Sequence, residues 1–235
     1  MRIGLLQCDE VLEDLQPEFG TYPKMFTDLF ERVSQDIEWI VYNAVDGELP
    51  DDIDACDGYI TTGSRYGVND GDDWIDRLQD FLSSLVSANK KYVGICFGHQ
   101  LLAKALGGTV ERSPKGWGVG VSFNQVNHQK DWMMPFQDSM DLVVSHQDQV
   151  INLPEHAEVL ASSNFCPFYI VQYSPNLMSV QGHPEFSKEY SSELMNRRRD
   201  RIPPARGREG QASLSAQVDD ILMATWIVNF FNSSL

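Results

Sequence analysis

The sequence predicts an α/β fold with a doubly wound, mostly parallel β-sheet that is covered by helices on both faces. Two observations lead to this prediction. Strand-like and helix-like segments alternate through the first half of the chain, and parallel strands need such crossover connections. Short strand-like segments with brief turns follow in the second half, and they indicate a small mixed or antiparallel extension of the sheet.

The first half of the chain supplies the alternating segments. Apolar residues at helical spacing identify each helix, and short runs rich in apolar and β-branched residues identify each strand. The predicted strands are residues 2–8, 37–43, 57–63 and 91–95. The predicted helices are residues 23–33, 73–88 and 97–106, and a pair of glycines ends the last of these helices.

The second half supplies the extension and a long terminal helix. The predicted strands are residues 119–126, 141–146, 158–163, 169–173 and 177–182. Apolar residues on one face predict an amphipathic helix over 213–232, and the Pro- and Gly-rich stretch 202–212 predicts a loop before that helix. No internal repeat divides the chain, so we expect one domain over residues 1–235.

The acidic balance of the chain argues against two classes of partner. The formal net charge is −16, whereas surfaces that bind nucleic acids or anionic membranes need clustered positive charge. We therefore expect neither a nucleic-acid partner nor a membrane partner. The N-terminus lacks the apolar core of a signal peptide, and the four cysteines show no CxxC pairing, so we expect free thiols and a cytoplasmic protein.

The strongest chemical signal is the run Gly94-Ile95-Cys96-Phe97-Gly98, between a predicted strand and a predicted helix. The pattern G-x-C-x-G is a cysteine version of the nucleophile elbow, in which a sharp turn lifts the nucleophile above the sheet. Glycine on either side lets the neighbouring backbone pass without a Cβ clash. The positive helix N-terminus favours thiolate, and the Phe97 amide is placed to help hold an oxyanion. The alternative is a buried cysteine in a Gly-rich turn.

A thiolate nucleophile needs a base and a group that orients the base, and residues 181–185 (QGHPE) offer both. His183 follows the strand-like segment 177–180, so its side chain can face a site at the carboxyl end of the sheet. Glu185, two residues later, can hold the imidazole in the useful tautomer. By itself this motif also suits a surface turn, but its pairing with the elbow favours catalysis.

Four motifs, taken together, resemble those of class I glutamine amidotransferases. Residues 94–108 (GICFGHQLLAKALGG) resemble the active-site stretch of that family, and residues 182–185 (GHPE) resemble its His-x-Glu box. Residues 60–64 (ITTGS) stand where the family has a Gly-Gly-Pro turn, and residues 145–148 (SHQD) resemble its Ser-His-x-Asp segment. The chain most resembles the free-standing members of the family, which include γ-glutamyl peptidase-like proteins.

The resemblance implies a flavodoxin-like sheet and cleavage of a γ-glutamyl amide bond through a γ-glutamyl thioester. Cys96 would attack the carbonyl carbon, His183 would serve as base and then as acid, and Glu185 would orient His183. The backbone amides of Gly63 and Phe97 would form the oxyanion hole.

The resemblance further implies that Gln100, Ser145 and His146 position the substrate. The turn around Gly63 reads Thr61-Thr62-Gly63-Ser64, so it lacks the first glycine and the proline of the family pattern. No phosphate-binding loop is present, and no cofactor is implied. A metal is not expected at His99, since no second Cys or His pair has ligand spacing.

Three functions remain open from the sequence. The first, which we favour, is a stand-alone hydrolase that acts on glutamine or a small γ-glutamyl conjugate. The second is a glutaminase component that supplies ammonia to a separate synthase partner, and the third is a non-catalytic binding or regulatory protein. The arginine-rich segment 197–208 predicts either a solvated helix end or a contact with an acidic substrate or partner.

Overall fold

The computed structural model describes residues 1–233, so residues 234 and 235 of the predicted domain lie outside the described part. The strands are β1 Arg2–Leu6, β2 Glu38–Tyr42, β3 Gly58–Thr61, β4 Lys91–Ile95, β5 Thr109–Arg112, β6 Gly118–Ser122, β7 Gln125–Val126, β8 Leu142–His146, β9 Asp148–Asn152, β10 Glu158–Ser162, β11 Ile170–Ser174 and β12 Leu177–Val180. The α-helices are α1 Gln16–Phe19, α2 Tyr22–Glu31, α3 Asp73–Ser87, α4 Phe97–Ala105, α5 Lys188–Arg197, α6 Pro204–Ser213 and α7 Asp220–Asn232.

An eight-stranded sheet in the order β2-β1-β3-β4-β12-β11-β10-β7 forms the centre of the structure. The pairs β2-β1, β1-β3, β3-β4 and β4-β12 are parallel, and the remaining pairs in the sheet are antiparallel. Two smaller antiparallel pairs, β5-β9 and β6-β8, lie outside this sheet. The prediction of a mostly parallel sheet with a small antiparallel extension is therefore confirmed.

Helices cover both faces of the sheet, because successive side chains of each strand point to opposite faces. Ile3 and Leu5 of β1 pack in a core with α2 and α7, whereas Leu6 packs in a second core with α3 and α4. The α2–α7 core is rich in aromatic residues and includes Trp226 and Phe230, both completely buried. The helices thus bury the sheet between two apolar cores.

The predicted loop over 202–212 is wrong, because α6 occupies most of that stretch. Pro204 stands at the start of the helix, where its missing N–H removes no intrahelical hydrogen bond. Gly210 lies so close to β6 that a Cβ there would be 2.8 Å from a methyl carbon of Val119. Packing against β6 thus offsets the low helix propensity of the sequence.

The predicted helix over 213–232 is also too long, since α7 begins only at Asp220. The preceding residue, Asp219, donates its amide to the Asp141 carbonyl at 2.8 Å, and its carboxylate accepts from the Asp141 amide at 2.7 Å. These contacts hold the chain in a non-helical turn before α7. Within residues 1–233 no helix has the length and apolar character needed to cross a membrane.

The predicted strand 119–126 is divided between two sheets, as β6 and β7. Asn124 causes the division, because its side-chain amide donates to the carbonyl oxygens of Ser122 and Met140 at 2.9 and 3.0 Å. Four elements, α1, α5, β5 and β9, received no range from the sequence. The strand β9 depends on pairing with β5, a contact between distant segments that local patterns do not reveal.

His99 of α4 is a completely buried histidine at the interface between this helix and the sheet. Its Nδ1 atom hydrogen-bonds with Ser179 Oγ of β12 at 2.7 Å, and its Nε2 atom has no partner within residues 1–233. Burial, with a smaller contribution from His146, lowers the pKa of His99 from 6.5 to about 3. The ring is therefore neutral in the folded protein at neutral pH.

We predict that His99 makes the fold less stable as the pH falls below 6.5, the ordinary histidine pKa. In the unfolded chain the histidine binds a proton below pH 6.5, whereas in the folded chain it binds one only near pH 3. The loss of stability therefore extends from pH 6.5 to about pH 3. At about pH 5 this loss amounts to about 2 kcal/mol. Urea unfolding at about pH 7 and about pH 5 measures the change in the free energy of unfolding.

The matched variants are His99→Asn, whose amide can keep a contact to Ser179, and His156→Asn at an exposed position with φ of 68°, which asparagine tolerates. His99→Asn is expected to reduce the loss of unfolding free energy between the two pH values, whereas His156→Asn is expected to leave this loss unchanged. An equal loss in the wild type and in His99→Asn would show that His99 does not carry it.

Candidate active site

Cys96 lies at the sharp turn between β4 and α4. Its backbone has φ 48° and ψ −92°, a conformation that residues other than glycine rarely adopt. A Cβ on Gly94 would lie 2.5 Å from the backbone of Gly98, and a Cβ on Gly98 would overlap Thr61. The two glycines therefore let β4, α4 and β3 approach closely enough to form the elbow that the sequence predicts.

His183 and Glu185 reach Cys96 through strand pairing. β12 runs parallel to β4, and the Cys96 amide donates to the Val180 carbonyl at 2.8 Å, so both strands end at the same edge. His183 follows β12 and donates its amide to the Val143 carbonyl at 2.8 Å. Its Nδ1 atom is 2.8 Å from Glu185 Oε1. The three residues predicted as nucleophile, base and orienter thus lie together.

The surroundings of His183 fix the orientation of its imidazole and favour its protonated form. Phe186 stacks on it with ring centroids 3.9 Å apart and an angle of 7° between the planes. Burial opposes protonation of His183, but the attraction of Cys96 and Glu185 outweighs burial and raises the pKa of His183 well above 6.5. The Oε2 atom of Glu185 is buried without a hydrogen-bond partner within residues 1–233, so this carboxylate acts on His183 through Oε1.

Gln181 is a site residue whose role the sequence did not reveal. It is completely buried, and its side-chain amide nitrogen is 3.5 Å from Cys96 Sγ. Its Oε1 atom accepts a hydrogen bond from Gln100 Nε2 at 3.1 Å. The side-chain nitrogen of Gln181, rather than its oxygen, therefore faces the sulfur. The signal was present in the motif, since Gln181 directly follows β12 and stands two residues before His183.

Gln100, Ser145 and His146 lie in the site, but each contacts other protein groups. The Gln100 amide nitrogen donates to the Asp148 carbonyl at 2.8 Å, and Ser145 Oγ accepts from Arg198 at 2.8 Å. His146 Nδ1 is 3.1 Å from the same Asp148 carbonyl, and burial lowers its pKa to about 4. A neutral His146 that donates from Nδ1 leaves Nε2 as an acceptor.

The turn after β3 brings Gly63 against the other residues of the site. A Cβ on Gly63 would lie 2.5 Å from His183 Cε1 and 3.5 Å from Cys96 Cβ. Within residues 1–233 the Gly63 amide donates no hydrogen bond. The turn is anchored because Thr62 Oγ1 accepts from the Cys8 amide at 2.9 Å. A glycine thus lies against Cys96 and His183 although the turn departs from the Gly-Gly-Pro pattern.

A cavity of about 220 Å³ opens over Cys96. Its wall includes the turn after β3, the segment 145–148, Trp117 and four arginines, among them Arg198 and Arg201. Arg198 donates to Ser145 and is partly buried, so the interpretation of the whole segment 197–208 as a solvated helix end is wrong for this residue. Within residues 1–233 no group of three or more potential metal ligands is present.

We predict that Glu185→Gln lowers the pKa of His183, because it removes the negative charge next to Nδ1. The expected decrease is about 1 to 3 pH units. NMR titration of protein labelled in its histidine rings measures it. Glu189→Gln, at an exposed position nearby in α5, is the matched control and is expected to leave the titration unchanged. Identical His183 titrations in the wild type and in Glu185→Gln would contradict the assigned ion pair.

Comparison with known proteins shows the family. Residues 51–198 match the model of the family described as Glutamine amidotransferase class-I. The chain is 34% identical over 188 residues to Gamma-glutamyl peptidase 5 of Arabidopsis thaliana, which covers 76% of this chain and 73% of that protein. It is 38% identical over 106 residues to the glutamine-hydrolyzing GMP synthase of Macrococcus caseolyticus, which covers 44% of this chain and 20% of that protein.

The crystal structure of a glutamine amidotransferase from Thermotoga maritima has a similar fold. The two structures align with a TM-score of 0.77 over 99% of each chain, at 17% sequence identity. The predicted flavodoxin-like arrangement is therefore confirmed. The model of the class I glutamine amidotransferase family matches more than half of this chain, and the protein therefore belongs to that family.

Proposed function

We propose that this protein is a cysteine hydrolase that cleaves the γ-glutamyl amide bond of glutamine or of a γ-glutamyl conjugate. The observation that carries this proposal is the position of Cys96, at a strained turn that lines an open cavity, next to the hydrogen-bonded pair His183 and Glu185. A structural cysteine needs neither a strained backbone nor a charged base. Backbone strain of this kind, of order 1–3 kcal/mol, is concentrated at functional sites.

In the first half of the reaction, His183 holds the proton that the Cys96 thiol gives up, and Cys96 Sγ attacks the γ-carbonyl carbon and forms a tetrahedral intermediate. His183 then donates a proton to the leaving nitrogen, the C–N bond breaks, and a γ-glutamyl thioester remains on Cys96. In the second half, His183 takes a proton from water, which attacks the thioester. The C–S bond breaks, and glutamate leaves. Gln181 directs its amide toward the sulfur in both halves.

Two backbone amides are proposed to stabilise the negative charge on the carbonyl oxygen. The Phe97 amide belongs to the first turn of α4, where backbone N–H groups have no intrahelical partner and the helix dipole favours an anion. The Gly63 amide belongs to the turn after β3, which lies against Cys96 and His183. Together they would supply preorganised donors of the oxyanion-hole type.

The segment 145–148 is proposed to hold the amino-acid end of the substrate. Ser145 and His146 line the cavity beside Cys96, and the neutral Nε2 of His146 is available as an acceptor. Gln100 supports this segment from α4 through its bond to the Asp148 carbonyl. Its proposed role is therefore to position the segment as well as to line the cavity.

A second candidate function is the supply of ammonia to a separate synthase. The match to a GMP synthase supports it, but that match covers 44% of this chain, whereas the match to a γ-glutamyl peptidase covers 76%. The greater coverage favours the hydrolase. A non-catalytic role gains no support from a site in which nucleophile, base and carboxylate lie together.

We predict that the purified protein releases glutamate from γ-glutamyl peptides and that Cys96→Ala lowers the rate by roughly 1,000-fold or more, since no other group supplies the nucleophile. Enzymatic detection of glutamate measures the rate with glutamine and with a panel of γ-glutamyl peptides. Cys56→Ala, which replaces another buried thiol, is the matched control.

The outcomes separate the candidate functions. Rapid, Cys96-dependent cleavage of a peptide supports the hydrolase. Slow release from glutamine alone would favour the supply of ammonia to a synthase. Equal rates for the wild type and for Cys96→Ala would contradict the proposed mechanism.

A further inference from the structure

Two arginines in the wall of the cavity lie close to the same indole ring. The guanidinium carbon of Arg198 is 5.9 Å from the centroid of the Trp117 ring, and that of Arg201 is 5.8 Å from it. Arg198 also donates to Ser145 at 2.8 Å. Trp117 is itself buried. At this distance the indole ring attracts each guanidinium group through a cation–π interaction.

These two arginines differ from Arg197 and Arg206 of the same segment, which pair with carboxylates. Arg197 binds Asp14 and Glu193, at 2.8 and 3.2 Å, and Arg206 binds Glu209 at 3.1 Å. Within residues 1–233 neither Arg198 nor Arg201 forms such an ion pair. Two arginines of the segment 197–208 are thus neutralised by carboxylates, whereas the two that line the cavity beside Trp117 are not.

The unpaired charges are notable because the chain as a whole is strongly acidic, with a net charge of −16. Burial lowers the pKa of Arg198, and the groups that most oppose this effect are Tyr22 and Tyr190, neither of which is a carboxylate. A partly buried cation without an anionic partner is costly, and an anion in the cavity would remove that cost.

The carboxylates of the cavity do not fill this role. Asp70 and Asp148 converge at Gly67, where a Cβ would lie 3.0 and 3.2 Å from their oxygen atoms. Asp70 accepts from the Gly67 amide at 2.7 Å, and Arg112 is the cation that acts on Asp148. The cavity therefore keeps a separate positive region beside Trp117.

We propose that Arg198 and Arg201 form a binding site for a carboxylate group of the substrate. Arginine binds carboxylates through two parallel N–H donors, so two guanidinium groups beside the same indole ring suit this ligand. The inference rests on the proposed function, because it names what the cleaved γ-glutamyl compound carries. Such a compound offers a carboxylate from two sources: the α-carboxylate of the glutamyl group, and the terminal carboxylate of a peptide leaving group.

Calorimetric binding to the Cys96→Ala protein tests the proposal without turnover. Three ligands are compared: γ-glutamylglycine, γ-glutamylglycinamide, which lacks the leaving-group carboxylate, and 4-aminobutyrylglycine, which lacks the α-carboxylate. Each is titrated into the parent and into its Arg198→Gln, Arg201→Gln and Arg199→Gln derivatives. Arg201 and Arg199 are exposed, so their replacement does not threaten the fold, and Arg199 bonds Asn196 outside the cavity.

The proposal predicts that Arg198→Gln and Arg201→Gln weaken binding of γ-glutamylglycine by roughly 10- to 100-fold, whereas Arg199→Gln leaves it unchanged. The parent is expected to bind one of the two analogues more weakly, and that difference is expected to vanish in the arginine variants. A difference for the glycinamide identifies the leaving-group carboxylate, and a difference for the aminobutyryl compound identifies the α-carboxylate.

Equal binding of γ-glutamylglycine by the parent and by both arginine variants would overturn the proposal, as would no binding of any ligand by the parent. Glutamate release by the protein with Cys96 intact separates the two proposals. Hydrolysis at equal rates with and without the two arginines would contradict the carboxylate site and leave the proposed function standing. Arginine-dependent binding without hydrolysis defeats the proposed function and leaves the carboxylate site standing.

Discussion

The backbone conformation of Cys96 is the constraint on which the rest of the site depends. A positive φ at a residue with a side chain persists only where the surroundings enforce it. Here the enforcing contacts are the close approach of Gly94 to Gly98 and the hydrogen bond from the Cys96 amide to β12. The same hydrogen bond sets the register of β12 beside β4. The pairing of β12 with β4 thus has two effects. It places His183 next to Cys96 Sγ, and it helps to bend the chain at Cys96.

Electrostatics then divides the site into two regions of different character. Around the sulfur, Glu185 and the stacked Phe186 hold His183 in one orientation, and the surrounding charges favour its protonated form. Further out, Arg198 and Arg201 give the cavity a positive wall in a chain that is otherwise acidic. The first region is suited to proton transfer, and the second is suited to the recognition of an anion. Both regions meet at the segment 145–148, through Ser145.

The parts of this arrangement that local sequence determines were predictable, and the parts that need distant contacts were not. Cys96 and His183 each follow a strand, and parallel strands end at one edge, so their proximity followed from pattern alone. Gln181 and Arg198 escaped assignment because their roles depend on Cys96 and Ser145, which lie far away in the sequence. The helix α6 was taken for a loop for the same reason, since Gly210 packs on β6, which is distant in the sequence.

The central claim is that Cys96 attacks a γ-glutamyl carbonyl carbon. Treatment with a glutamine analogue that carries a diazoketone in place of the side-chain amide, followed by peptide mapping by mass spectrometry, tests it most directly. Of the four cysteines, only Cys96 is expected to carry the label, and γ-glutamylglycine is expected to slow its labelling. Labelling of Cys8, Cys56 or Cys166 at the same rate, or an unlabelled Cys96 that iodoacetamide still modifies, would contradict the account.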